Sequence, residues 1–109
     1  MARIKRRPQF KADLEAAYTY LLDRNPQAAE KFLRDLQIRF EALADYPKMG
    51  RARLANHPAA RIFPYKKFVI LYQEYPDNAG VELVRLFGPL QDWEEEALAE
   101  FDNTTSETD

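Results

Sequence analysis

The chain contains no cysteine, which excludes disulfides, thiolate metal sites and thiol nucleophiles. Its single histidine, His57, gives little support to a zinc site or a histidine-based triad. Three glycines cannot build a glycine-rich phosphate loop. No apolar run approaches the roughly 18 residues needed to cross a bilayer. The basic start, MARIKRRPQF, leads into polar and acidic positions rather than a signal-peptide core. A cytoplasmic location follows as the expectation, with no membrane partner and no cofactor.

Charge is missing selectively. Between Asp45 and Glu74 there is no acid, yet Lys48, Arg51, Arg53, Arg61, Lys66 and Lys67 fall there. Residues 92–109 hold 8 acids and no base. Residues 1–91 carry all 16 Lys and Arg against 10 acids, so a net charge of −2 hides a body of +6. This pattern points to a basic working surface and an acidic tail. The same asymmetry also fits a solvated face with a solubilising tail.

With 109 residues, 46% of them apolar, the chain has enough to bury one small core. Ile4 centres a short edge strand over residues 2–6. Leu14, Ala17, Tyr18, Leu21 and Leu22 recur at helical spacing, and Pro8 suits that helix's first turn. In RNPQAAEKFL, Asn25 is a good N-cap and Pro26 a good first helical residue, so a second helix begins there. It presents Ala29, Phe32, Leu33, Leu36, Phe40, Leu43 and Ala44 on one face, and Pro47 stops it near Tyr46.

Residues 47–60 read as a basic surface loop. Arg61–Phe63 is a short strand limited by Pro64. Phe68–Tyr75 and Val81–Phe87 form an antiparallel hairpin around PDNAG. Alternation places Val81, Leu83, Arg85 and Phe87 on one face, and Glu82, Val84 and Leu86 on the other. A last helix spans Asp92 to Phe101, with Trp93, Ala97, Leu98 and Phe101 on one side. The expected fold is α+β. An N-terminal helical hairpin packs on a small twisted antiparallel sheet, followed by the short C-terminal helix and a disordered acidic tail. One domain covers residues 1–101 and the tail 102–109.

Most chemistry-bearing residues have ordinary explanations. Glu94, Glu95 and Glu96 fan around a helix axis and suit its positive N-terminal end better than a metal. His57 reads as a loop residue rather than a general base. Tyr65 and Tyr72 could stack on bases, although aromatic residues in strands usually pack a core. The basic set is the best candidate: Arg51, Arg53, Arg61, Lys66, Lys67 and Arg85 could hold phosphates or an acidic protein segment. Trp93, Leu98 and Phe101 could dock the last helix on the sheet.

Three stretches then carry a family resemblance: KADLEAAYTYLLDRNPQAAEKFLRDLQIRFEALADYPKMGR, RIFPYKKFVILYQ and VELVRLF. Together they resemble the RelE/ParE superfamily of bacterial toxins over about residues 3–92, the ParE branch more closely than the RelE branch. The resemblance implies the toxin half of a type II toxin–antitoxin pair, restrained by an antitoxin that wraps it. RelE-type members cleave ribosome-bound mRNA; ParE-type members poison DNA gyrase. By alignment, the strand arginine of RelE-type nucleases falls near Val69. The histidine that ends the last strand in many relatives, and the arginine of the Gly-x-Arg after it, become Phe87 and Leu90. These replacements remove a proton-transfer group and a charge stabiliser, which favours a binding toxin without catalytic residues, metal or small-molecule substrate. Two alternatives stay open: a ribosome-dependent mRNA endonuclease, and a non-toxic antitoxin-binding module.

Overall fold

The computed structural model describes residues 3–54, 56–75, 79–89 and 91–107, with side chains through residue 100. Strand β1 (Arg3–Arg6) leads directly into α1 (Pro8–Arg24), with Pro8 at its first turn as predicted. Helix α2 (Pro26–Asp45) begins where the Asn25 side chain accepts a hydrogen bond from the Ala28 N–H at 3.1 Å. That cap satisfies one of the donors a helix start leaves open. Pro47 opens a single 3₁₀ turn (Pro47–Met49) and ends α2, as the sequence required.

Strands β2 (Ala60–Tyr65), β3 (Phe68–Glu74) and β4 (Gly80–Phe87) form an antiparallel meander. The sheet order is β1-β4-β3-β2, and β1 joins β4 in parallel. The sheet is therefore mixed, not wholly antiparallel. The helical hairpin, loop, β2 and β3 all intervene between β1 and β4, a connection long enough to bring β1 back in parallel. Gly80 allows the close approach: its φ is +130°, and a Cβ there would collide with the Arg3 backbone.

The alternation predicted for β4 is broken by a bulge. Leu71 pairs with Arg85, but Tyr72 pairs with Leu83, so Val84 is the extra residue. After the bulge the faces exchange. Leu86 joins Val81 and Leu83 in the cluster beneath α1 and α2, while Val84 and Phe87 enter the opposite cluster. The predicted grouping of Arg85 and Phe87 with Val81 and Leu83 is thus corrected.

Both sheet faces are covered. On one, Phe10, Phe32, Leu36, Phe40 and Leu43 of the helices pack on Ile70, Tyr72, Val81, Leu83 and Leu86. On the other, Leu54, Ala60, Ile62, Leu71, Val84 and Phe87 pack with Ala97 of helix α3 (Trp93–Glu107). Each fully buried large apolar side chain in these clusters contributes about 1.5–3 kcal/mol of transfer free energy. Among the described residues, no helix is long and apolar enough to cross a membrane.

Helix α3 starts where expected, with the Asp92 carboxylate accepting from the Glu95 N–H at 3.3 Å. Its backbone continues past Phe101 to Glu107, because no proline or glycine lies there to stop it. The side chains of the proposed tail, 102–109, and that of Phe101 lie outside the described residues, as does Leu90.

Candidate functional site

The β2–β3 connection consists of Lys66 and Lys67, both exposed. Lys66 adopts φ +53°, a conformation that costs a residue with a Cβ about 1 kcal/mol or more. Next to them, α1 and the end of the sheet leave a groove with a cavity volume of about 680 Å³. Ala17, Tyr20, Leu21, Phe68 and Leu86 supply apolar wall, and the two lysines stand among its lining residues. Tyr20 is 58% exposed, so an amphipathic segment could cover apolar surface here and meet cations in one docking event.

Tyr65 precedes the lysines but does not present its ring to a nucleobase. It is buried, and its hydroxyl donates to Asp35 Oδ2 at 2.9 Å. Burial, then the Asp35 carboxylate, pushes the Tyr65 hydroxyl pKa up. The same hydrogen bond, with Lys31 nearby, holds Asp35 below the ordinary carboxylate range. Tyr65 therefore ties β2 to α2.

A second basic region lies along the outer edge of β2. Arg51 and Ile62 exchange backbone hydrogen bonds of 2.8 and 2.9 Å, so the loop adds a short bridge to the sheet. Arg61 donates from Nη1 to the Gly50 carbonyl at 2.8 Å. The Arg53 guanidinium stands 6.0 Å from the centre of the Trp93 ring. Arg51 and Arg53 are exposed, and Arg61 is half-buried. No ion pair reaches these three arginines among the described residues.

This region depends on a residue whose role the sequence did not reveal. Tyr72 is completely buried; its hydroxyl donates to the Pro47 carbonyl and accepts from the Gly50 N–H, each at 2.7 Å. Burial raises its pKa. A Cβ at residue 50 would overlap the Tyr72 ring and hydroxyl, so glycine is required for the turn to close on the sheet. Tyr72 is thus a brace for the turn that receives Arg61, not a stacking surface.

The six predicted cations are not gathered on one patch. Arg61 and Lys66 sit five residues apart on the β2 side, roughly 16 Å along an extended chain. Arg85 differs again. Its Nε donates to Asp13 Oδ2 at 2.7 Å and its Nη2 to Oδ1 at 3.2 Å, while the Leu86 N–H also donates to Oδ2 at 3.0 Å. Burial works against the Arg85 charge, but Asp13 outweighs it and raises the guanidinium pKa. The arrangement joins α1 to the part of β4 beyond its pairing with β1.

Val69 and Phe87, the positions aligned with nuclease side chains, are direct partners across β3 and β4. Phe87 is fully buried, and both belong to the cluster that Trp93 and Ala97 cover. In α3, Trp93 and Ala97 are one turn apart and face the sheet, whereas Leu98 turns away and is 38% exposed. Leu98 therefore does not join the predicted docking stripe. His57 shapes the loop through its backbone, which donates to Leu54 and accepts from Ala60.

Residues 4–93 match the family described as ParE toxin of type II toxin-antitoxin system, parDE. A relative from Caulobacter vibrioides, named Toxin RelE3, is 28% identical over 86 residues, covering 78% of this chain and 94% of the relative. A solved structure titled "Chromosomal ParDE TA system from P. aeruginosa" superposes with a TM-score of 0.65 at 20% identity. It spans 81% of this chain and 96% of the solved chain. That structural likeness bears on the fold.

Proposed function

Because the chain belongs to the ParE toxin family of type II toxin–antitoxin systems, we propose that it acts by binding DNA gyrase and is neutralised by a cognate antitoxin. The observation that carries this reading is the Val69–Phe87 pair. At the two positions where a RelE-type nuclease would place charged or proton-transferring groups, this chain places apolar partners inside a covered core. Neither side chain can take or give a proton. The remaining surface suits recognition: an apolar groove bordered by Lys66 and Lys67, and arginines along the β2 edge.

In this reading the groove receives an apolar protein segment, and the lysines guide an acidic flank toward it. Exposed charge there speeds encounter more than it deepens affinity. Arg85 supports the groove through Asp13 and makes at most a secondary contact. The chain is a cytoplasmic protein, and its tail after residue 101 contributes no required contact.

Purified protein should inhibit gyrase supercoiling or accumulate gyrase–DNA cleavage complexes, and leave transcripts intact during translation. The name of the Caulobacter relative, Toxin RelE3, motivates a second reading as a ribosome-dependent mRNA endonuclease. Ribosome-dependent cuts with gyrase unaffected would establish that alternative and remove the binding proposal. Normal growth on expression without antitoxin would instead favour an antitoxin-binding module without toxicity.

A further inference from the structure

We propose that the β2 edge carrying Arg51, Arg53 and Arg61 binds the phosphodiester backbone of double-stranded DNA. The consequence for function rests on the gyrase reading: these arginines would hold DNA in the gyrase complex, leaving the lysine-bordered groove to protein. DNA binding itself does not require that reading.

Three observations support the assignment. First, the segment from Tyr46 through Gln73 contains no acid, so a polyanion approaching along it meets no carboxylate in the same stretch of chain. Second, each arginine is held by a specific contact of its backbone or side chain. Arg51 is paired with Ile62, Arg61 is tied to Gly50, and Arg53 lies over Trp93. Such order lowers the entropy lost when ligand binds. Arg61 uses one N–H on Gly50, and a guanidinium has five, so donors remain for phosphate oxygens.

Third, none of the three arginines lines the lysine-bordered groove. A protein partner generally needs a buried apolar anchor to bind well. A phosphate backbone needs charge and donors, and arginine's planar fork matches its oxygens. Charge and spare donors set apart from that groove favour the nucleic-acid backbone over an acidic protein segment. Trp93 is half-buried beside Arg53 and is not available as a freely exposed stacking platform, which favours duplex over single-stranded DNA.

The test measures fluorescence anisotropy of a short labelled DNA duplex of mixed sequence with the full chain. With three phosphate contacts, affinity should fall about 40-fold between about 50 and 200 mM salt. The R51E/R53E variant should bind roughly tenfold more weakly or worse. K11E/R34E changes the net charge equally at exposed positions on α1 and α2, and should bind within about twofold of the parent. Circular dichroism checks the fold. If R51E/R53E is unfolded, R51Q/R53Q tests the same loss of charge without adding acids.

Equal weakening by the two charge-reversal variants would overturn the assignment to this edge. So would salt-independent binding, or stronger binding to the matching single strand. Displacement of the duplex by polyglutamate at matched charge would assign the edge to an acidic protein segment instead. Gyrase inhibition without duplex binding would sink this inference and leave the gyrase reading standing. Duplex binding through the arginines without any effect on gyrase would do the reverse.

Discussion

Replacing Asp13 with alanine should expose how much the fold depends on one carboxylate. Asp13 receives two hydrogen bonds from Arg85, one from the Leu86 N–H and one from Gln9 Nε2. The Arg85 and Asp13 side chains are only 14% and 11% exposed, respectively. Removing one member of a buried ion pair costs about 3–5 kcal/mol. Here Glu100 remains 3.9 Å from Arg85, and some solvent reaches the pair, so about 2–3 kcal/mol is expected. For a domain of this size that lowers Tm by about 10–20 °C. Asp13→Asn keeps an acceptor for Leu86 and should lose about half as much. Pairing Asp13→Ala with Arg85→Met removes both charges, so the double variant should be about 1.5 kcal/mol more stable than the summed single losses imply. Urea denaturation followed by circular dichroism measures the parent and the four variants, the Arg85→Met single variant included. A loss below about 0.5 kcal/mol for Asp13→Ala, or strict additivity in the cycle, would refute the reasoning.

Tyr72→Phe should retain the fold but lose about 2 kcal/mol, because the Gly50 N–H and Pro47 carbonyl lose their shared partner; urea denaturation checks the loss. Gly80→Ala should cost at least about 2 kcal/mol and loosen β1, through positive φ and collision with Arg3; amide exchange along residues 3–6 reports the loosening. Burial would raise the Glu82 pKa, but hydrogen bonds from Gln73 and Arg7 outweigh it and hold the carboxyl below its ordinary value. Its stabilisation is therefore present above the unfolded pKa, about 4, and is lost as pH falls through the lower folded value. Glu82→Gln should flatten that acid-side decline in urea midpoint, with little change in the slope at neutral pH.

The parts of the fold legible in sequence were those set by local chemistry. Asn25–Pro26 marked a helix start because a side-chain acceptor and a preset φ act within one turn. Pro47 marked an end for an equally local reason, and the spacing from Ala29 to Ala44 gave the buried face of α2. The β4 bulge was harder, although VELVRLF carries a trace of it: Leu83–Val84 and Leu86–Phe87 are adjacent apolar pairs. Strict alternation cannot bury both members of such a pair on one face, but a sheet covered on both sides can use both. Lacking that second cover, the sequence reading assigned Arg85 and Phe87 to the wrong face. The site was less legible because its ties are long-range. Asp13 and Arg85 are 72 positions apart, and Tyr72 reaches Pro47 across 25. Positive charge was visible; which cations the protein itself would engage was not.

That two-sided cover also limits where this toxin can meet another macromolecule. Helices α1 and α2 occupy one face, while α3 and the loop around Leu54 occupy the other. Contact through either face would first require separating packed apolar surface, at a cost of about 25 cal/mol for each Å² exposed. The β2 edge and the lysine-bordered groove require no such separation. Moving α3 aside would uncover Val69 and Phe87, an apolar pair with no group able to exchange a proton. Opening the molecule there supplies apolar surface only at the cost of that packing, whereas the edge and the groove are open in the folded chain.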